Sequence, residues 1–183
     1  MRKAVSILRN RGIEISENDL LKEVDHILKK YEWEGAKNSK LRKCSKELLK
    51  YLKECGFKVA LLTNEPCDVV DFILEKLSIR EFFDVVVTRD SIGELKPSIK
   101  GIKVISEKVG VGEDDIVFVG DSSIDSKTAE MAGCRFWFVA KDGIPSNLRS
   151  EIVVKDLCEI LEILRGTERG RDGIHKVGRR IRS

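Results

Sequence analysis

The sequence predicts an α/β fold, a doubly wound parallel sheet with helices on both faces. Two observations predict it. From Phe57 onward, short apolar runs alternate with amphipathic stretches of roughly 10–15 residues, which is the pattern of parallel βαβ units. These runs are apolar at nearly every position, as in strands that helices cover on both faces. The residues before Phe57 read as helices instead.

Apolar residues at helical spacing predict three helices in the N-terminal part of the chain. The first contains Ala4, Val5, Ile7 and Leu8. The second begins where Asp19 follows Ser16 by three residues, a helix-start signal. Its apolar positions are Leu20, Leu21, Val24, Ile27, Leu28 and Tyr31. The third runs from about Ser39 to Cys55, where Gly56 follows as a C-cap glycine.

The remaining elements alternate in type along the chain. We expect strands at about residues 57–63, 83–88, 116–119, 134–140 and 152–154. We expect helices at about residues 67–77, 97–109, 123–132 and 157–164, with Pro97 opening the second of these. The last 18 residues are basic and rich in glycine, which predicts a disordered tail over 166–183.

Composition narrows the class of protein. The chain is 42% hydrophobic and 36% charged, which is enough apolar material for a core and too much charge for a membrane protein. Its apolar runs are far shorter than the roughly 20 residues that span a bilayer. The five cysteines are an odd number without a C-x-x-C pair, so a disulfide framework and a zinc site are both poorly supported. We therefore expect reduced thiols and a cytoplasmic location.

The basic tail leaves one question of partners open. Six Lys or Arg against two acids give residues 166–183 a charge of +4, although the whole chain carries only +3. Contact with a nucleic acid or another acidic partner is one interpretation. A solvated tail without a partner is the favoured one.

Polar side chains follow three of the predicted strands at their carboxyl ends, where open α/β sheets bind ligands. Thr63 and Asn64 end the first strand, Lys96 follows the second, and Asp121 and Asp125 follow the third. Each has an ordinary explanation: turn formers, a solvated loop lysine, and carboxylates at a helix start. Two carboxylates that converge would repel each other without a cation, whereas Mg²⁺ uses such a pair.

Taken together, these residues form an ordered set. The stretches "LRKCSKELLKYLKECGFKVALLTN", "FDVVVTRDSIGELKPS" and "IVFVGDSSIDSKTAEMAGC" resemble the second, third and fourth motifs of the haloacid dehalogenase-like (HAD) hydrolases. The resemblance runs from about Leu41 to Leu164 and is closest to the phosphoglycolate-phosphatase-like subgroup. It implies a Rossmann-like sheet, a partial helical cap over residues 1–38, and a core over residues 39–165.

The resemblance also implies a Mg²⁺-dependent phosphatase that acts on a small phosphorylated metabolite. Thr63 would hydrogen-bond the transferred phosphoryl group, together with the backbone amide of Asn64. Lys96 would neutralise charge between nucleophile and phosphate, and Asp121 and Asp125 would hold Mg²⁺ directly or through water. Such roles suit phosphoryl transfer, which depends on positioning and charge neutralisation.

The family's first motif, D-x-D-x-T on a central first strand, does not occur in this sequence. Its first Asp is the nucleophile and its second the general acid and base, so we expect these 183 residues to be inactive as written. Three alternatives address the missing strand: the neighbouring strands pair, another segment fills the slot, or the native protein is longer. We favour the last, an N-terminal truncation, because Met1 lies inside an apparently running helical pattern.

A second function class remains open at this point. The same scaffold would bind a phosphate group or a nucleic acid without cleaving anything, and the open sheet edges would allow association with another chain. The motifs do not separate a phosphatase from a dehalogenase or a phosphomutase. The substrate is not specified by this sequence.

Overall fold

A computed structural model of the chain describes residues 7, 10–140, 143–146 and 148–166. The helix expected over residues 4–8 and the tail expected over 166–183 lie outside the described residues, apart from Ile7 and Gly166. The chain divides into two compact units, Met1–Ser39 and Lys40–Ser183.

The first unit contains helix α1, Glu17–Asn38. Ser16 caps it, because the Ser16 hydroxyl accepts a hydrogen bond from the backbone N–H of Asp19 at 3.1 Å. The helix start predicted from these two residues is therefore confirmed. Within the described residues, no helix is both long enough and apolar enough to cross a membrane.

The second unit alternates helices and strands as expected. Its helices are α2 (Ser45–Glu54), α3 (Cys67–Lys76), α4 (Arg89–Ile92), α5 (Lys100–Val109), α6 (Ser123–Ala132) and α7 (Leu157–Gly166). Its strands are β1 (Ala60–Leu62), β2 (Val85–Val87), β3 (Val117–Gly120), β4 (Arg135–Val139) and β5 (Ile152–Val154). The short α4 was not predicted from the sequence.

The strands form two separate parallel sheets. Strand β1 pairs with β2, with Leu61 opposite Val86. Strands β3, β4 and β5 form the other sheet in that order, with Phe118 opposite Phe136. The α/β class with parallel strands is thus confirmed. Among the described residues, β1 and β3 do not pair with each other, so the first alternative for the missing strand is not observed.

Helices cover both faces of the first sheet. On one face, Leu61 and Val86 pack against Val70 and Leu74 of α3. On the other face, residues of both strands pack against Ile105 of α5. Alternation of side chains along each strand sends successive residues to opposite faces, so these nearly continuous apolar runs are buried from two sides.

The second sheet is also packed on both faces. Trp137 of β4 lies in a cluster with Ile160 and Leu164 of α7, while Phe138 packs with Ala129 of α6. Helix α2 contacts both sheets through adjacent residues. Leu48 belongs to the cluster under β4 and β5, and the neighbouring Leu49 packs against the cluster under β1 and β2.

Asp84 secures the start of β1. Its carboxylate accepts hydrogen bonds from Lys53 Nζ at 2.7 Å and from the backbone N–H of Val59 at 2.8 Å. The bond from Lys53, and then the backbone bond from Val59, lower the pKa of Asp84 to about 2. This contact joins the end of α2 to the strand that leads to Thr63.

Three expectations from the sequence are wrong in this unit. The helix expected from about Ser39 begins at Ser45. Cys44 and Cys158 form a disulfide, with their Cα atoms 5.2 Å apart and a separation of 114 positions in sequence, so the expectation of reduced thiols fails for this pair. The helix expected to open at Pro97 begins at Lys100 instead. Pro97 lies in a turn, in which the N–H of Ser98 donates to the carbonyl of Leu95 at 3.0 Å.

Candidate functional site

The core of the site is an ion pair that joins two of the predicted residues. Lys96 Nζ donates to Asp125 Oδ1 at 2.6 Å, and the side chains are only 15% and 8% exposed. The same ammonium lies 3.5 Å from the carbonyl oxygen of Leu62 and 5.9 Å from the ring centroid of Phe118. It is therefore placed between the carboxyl end of β1 and strand β3. The described contacts use at most two of its three N–H donors.

Asn64 positions Lys96 through its side chain. Asn64 Oδ1 accepts from the backbone N–H of Lys96 at 2.7 Å, and Asn64 Nδ2 donates to the Lys96 carbonyl at 3.4 Å. The amide thus pairs with both polar groups of one peptide residue 32 positions away. The sequence suggested a role for the backbone amide of Asn64, and this role of its side chain was missed.

Thr63 directly precedes Asn64 in the chain and makes different hydrogen bonds. Its N–H donates to the carbonyl of Val87 at 3.0 Å, which extends the pairing of β1 with β2. Its hydroxyl accepts from the N–H of Glu65 at 3.1 Å. That bond uses an oxygen lone pair, so the Thr63 O–H could still donate a hydrogen bond to a phosphoryl oxygen.

The turn between β3 and α6 explains the sequence G-D-S-x-x-D locally. Ser122 caps α6 by accepting from the N–H of Asp125 at 3.1 Å, and its hydroxyl donates to Asp125 Oδ2 at 2.6 Å. A β-carbon at Gly120 would lie 2.5 Å from the Cβ of Asp125 and 2.8 Å from its carboxyl carbon. Glycine is required at 120 because Asp125 approaches the backbone closely there.

Asp121 is held by a residue that the sequence did not single out. Arg42 Nη2 donates to Asp121 Oδ2 at 2.5 Å, across 79 positions in sequence. The contacts found in the structure therefore link Asn64, Lys96 and Asp125 to one another. Thr63 is joined to them by adjacency in the chain, and Asp121 by the short turn that leads to Asp125.

The donor chemistry of the two aspartates suits magnesium. Mg²⁺ takes oxygen ligands from one or two carboxylates and keeps several waters. A carboxylate has about four acceptor positions, so the bonds from Lys96, Ser122 and Arg42 leave room for further ligands on Asp121 and Asp125. Across the described residues, no group of three or more His, Cys, Asp and Glu side chains could hold a metal.

Cys67 is the cysteine nearest the Thr63 turn in sequence. Its thiol donates to Asp71 Oδ2 at 3.5 Å, and this hydrogen bond is the main cause that raises the pKa of Cys67. A raised pKa keeps the sulfur in the thiol form, which is a poor nucleophile. Nothing in these contacts therefore points to Cys67 as a nucleophile.

The sequence is similar to one enzyme family and to individual members of it. The haloacid dehalogenase-like hydrolase family matches residues 3–139. A phosphoglycolate phosphatase from Vibrio vulnificus (strain YJ016) is 32% identical over 138 residues, which cover 73% of this chain and 60% of that protein. The phosphoglycolate phosphatase of Escherichia coli (strain K12) is 35% identical over 83 residues, 45% of this chain and 33% of that protein.

Solved structures agree with the fold. A protein described as a predicted phosphoglycolate phosphatase from Haemophilus somnus 129PT superposes with a TM-score of 0.71 at 28% identity, covering 88% of this chain and 74% of that one. A HAD phosphatase from Thermococcus onnurineus has a TM-score of 0.67 at 24% identity, covering 88% and 70%, and supports the fold alone. The chain spans about 60% of the length of the first curated relative.

Proposed function

The chain belongs to the haloacid dehalogenase-like hydrolase family, and on that premise we propose that its site serves Mg²⁺-dependent removal of a phosphoryl group from a small phosphorylated metabolite. The phosphoglycolate phosphatases among its relatives support this reaction class. Thr63 and Lys96 would be the catalytic residues of this chain, Asn64 would assist in binding phosphate, and Asp121 and Asp125 would hold the metal.

The Lys96–Asp125 ion pair carries the proposal. An ammonium that is 15% exposed and fixed at the end of β1 is a preformed positive site for a phosphoryl oxygen. Because Asn64 fixes its backbone and Asp125 its tip, little reorganisation is needed when an anion arrives. The Thr63 hydroxyl, just after the end of β1, would donate a second, directional hydrogen bond to the phosphoryl group.

Magnesium would supply charge neutralisation at the phosphoryl oxygens. In this chain, Asp121 is the more accessible of its two proposed carboxylates, at 43% exposed against 8% for Asp125. Asp121 would therefore contact the metal directly, whereas Asp125 would orient Lys96 and reach the metal directly or through water.

These 183 residues contain no D-x-D-x-T, and we propose that alone they do not turn over a phosphate ester. No attacking carboxylate is positioned by the contacts described above. A split between β1 and β3 supports the view that a further strand belongs there. Hydrolysis of p-nitrophenyl phosphate by the purified chain, above a no-protein control and lost in Lys96→Met, would contradict this point.

The metal assignment is tested by titrating the 183-residue chain with MgCl₂ in a calorimeter. We expect Asp121→Asn to abolish the binding heat, because an amide oxygen lacks the charge of a carboxylate. The matched control is Asp25→Asn, which alters an exposed carboxylate paired with Lys29 at 3.0 Å in α1. Unchanged Mg²⁺ affinity in Asp121→Asn would remove that residue from the site.

Several further assignments are proposals. Residues 1–38 would be part of a helical cap, residues 39–165 the core, and residues 166–183 a basic tail. The partner would be a small phosphorylated substrate, and no membrane would be involved. The free edges of β1 and β3 would allow association with a strand of another chain.

The cytoplasmic location stays a prediction. One reason for it was the expectation of reduced thiols, and the Cys44–Cys158 disulfide removes that reason. Nothing in the comparisons favours the non-catalytic or nucleic-acid-binding alternative.

A further inference from the structure

Arg42 forms an ion pair with Asp121, the more exposed of the two carboxylates that would hold the metal. Its guanidinium donates to Asp121 Oδ2 at 2.5 Å. Both side chains are partly exposed, 44% for Arg42 and 43% for Asp121. The segment that carries Arg42 lies between α1 and α2, far in sequence from the turn after β3. This ion pair therefore depends on the tertiary fold and not on local sequence.

The backbone at Arg42 is firmly anchored. The Arg42 carbonyl accepts from both the N–H of Ser45 at 3.1 Å and the hydroxyl of Ser45 at 2.7 Å. Two positions further on, Cys44 adopts a left-handed conformation with φ of 61° and is bonded to Cys158 on α7. The backbone that carries the Arg42 guanidinium is thus held in place by these contacts.

A guanidinium and a divalent cation compete for the same carboxylate. Both are attracted to the negative charge of Asp121, and two cations on one side chain repel each other. By linkage, the ion pair with Arg42 lowers the affinity of Asp121 for the metal by some factor, and bound metal weakens the ion pair by the same factor. Lys96 has the corresponding place on Asp125, so each aspartate has an internal cation.

We propose that Arg42 is a built-in competitor of Mg²⁺ at Asp121, which sets the metal affinity of the site. The inference rests on the proposed use of Asp121 as a metal ligand. Mg²⁺ held by Asp121 would in turn weaken the contact of the Arg42 guanidinium with that carboxylate. Arg42 is thus a positioning residue that acts on the metal through Asp121.

The expected effect is modest because the ion pair is exposed. Exposed pairs are worth about 0.2–1 kcal/mol. The upper part of this range corresponds to a change of about two- to fivefold in a binding constant, since 1.4 kcal/mol is tenfold. Arg42→Gln should therefore tighten Mg²⁺ binding about two- to fivefold. Arg42→Lys keeps the charge, and we expect it to stay within twofold of the wild type.

The experiment titrates MgCl₂ into the 183-residue chain by calorimetry at fixed ionic strength, with circular dichroism as the check on folding. The variants are Arg42→Gln, Arg42→Lys, Asp121→Asn and the double variant Arg42→Gln/Asp121→Asn. The matched control is Arg149→Gln, because Arg149 also pairs with a surface carboxylate, Glu130 Oε1 at 2.6 Å, near the other end of α6. We expect no change in Mg²⁺ affinity for this control.

The outcomes separate this inference from the proposed function. Tightening in Arg42→Gln that disappears in the Asp121→Asn background supports the proposal. Unchanged or weaker binding in Arg42→Gln overturns it, while loss of binding in Asp121→Asn leaves the proposed function standing. Unchanged binding in Asp121→Asn, or no binding heat in both the wild type and Arg42→Gln, overturns both. Equal tightening in Arg149→Gln also overturns the proposal, because the effect would then be one of overall charge.

Discussion

Replacing Lys96 by Met is the sharpest test of the buried ion pair. The substitution keeps the length of the side chain and removes the charge, so Asp125 is left with the Ser122 hydroxyl as the partner of its side chain. At 2.6 Å and an effective dielectric constant of 20, the lost attraction is about 6 kcal/mol before solvation is counted. Removing one partner of a buried pair destabilises a protein by about 3–5 kcal/mol.

We expect Lys96→Met to lower the free energy of unfolding by about 3 kcal/mol, the lower end of that range, because Ser122 still hydrogen-bonds Asp125. For a chain of this size, such a loss lowers the melting temperature by roughly 6–12 °C. The assay is urea unfolding followed by far-ultraviolet circular dichroism at pH 7. The matched control is Lys50→Met, whose exposed partner Glu54 is 3.8 Å away; we expect it to change stability by less than about 0.5 kcal/mol.

The double variant Lys96→Met/Asp125→Asn completes the test. Removing both charges leaves no unpaired ion in the interior, so stability should return to within about 1 kcal/mol of the wild type. A loss below about 1 kcal/mol in Lys96→Met would refute the reasoning, because the pair would then behave as an exposed one. A double variant that loses at least as much stability as Lys96→Met and Asp125→Asn lose together when measured singly would refute it as well.

Three further predictions concern other contacts. Gly120→Ala should lose about 1–3 kcal/mol in urea unfolding, because the new methyl group must displace Asp125, and wild-type stability would contradict this. Reducing the Cys44–Cys158 disulfide, which closes a span of 114 residues, should lower stability by about 3–5 kcal/mol, so equal urea midpoints with and without dithiothreitol would count against it. In the folded chain the pKa of Asp84 is lowered from 3.8 to about 2. As the pH falls from about 4 to 2, the unfolded chain therefore binds more protons at this position than the folded chain does. About 1–2 kcal/mol of stability should be lost across that window. Asp84→Asn should not show this loss. If the stability of the wild type and of Asp84→Asn fell equally between about pH 4 and 2, Asp84 would not be its cause.

The elements with strong local patterns were predictable. Strand β5 and helix α6 have the predicted bounds, and the remaining strands differ from expectation by one to three residues at their ends, because the periodicity of apolar residues determines which segments are buried. Helix α5 begins later than predicted. Asn64 binds both polar groups of the Lys96 backbone, so Lys96 and Pro97 belong to the site and not to the helix.

The candidate site was predicted in part. The residues that follow strand ends could be predicted because parallel strands bring their carboxyl ends to one edge. The ion pair of Arg42 with Asp121 and the disulfide between Cys44 and Cys158 could not, because they join residues 79 and 114 positions apart and no local pattern marks such contacts. Both lie in or next to the segment before α2, which had been expected to be helical from about Ser39.

The central claim is that the site formed by the residues after β1, β2 and β3 binds a phosphoryl group together with a divalent cation. The most direct measurement is calorimetric binding of orthophosphate to the 183-residue chain with and without MgCl₂, for the wild type and for Asp121→Asn. We predict that Mg²⁺ tightens phosphate binding in the wild type and has no effect in Asp121→Asn. Phosphate affinity that is the same with and without Mg²⁺ in the wild type would contradict the account.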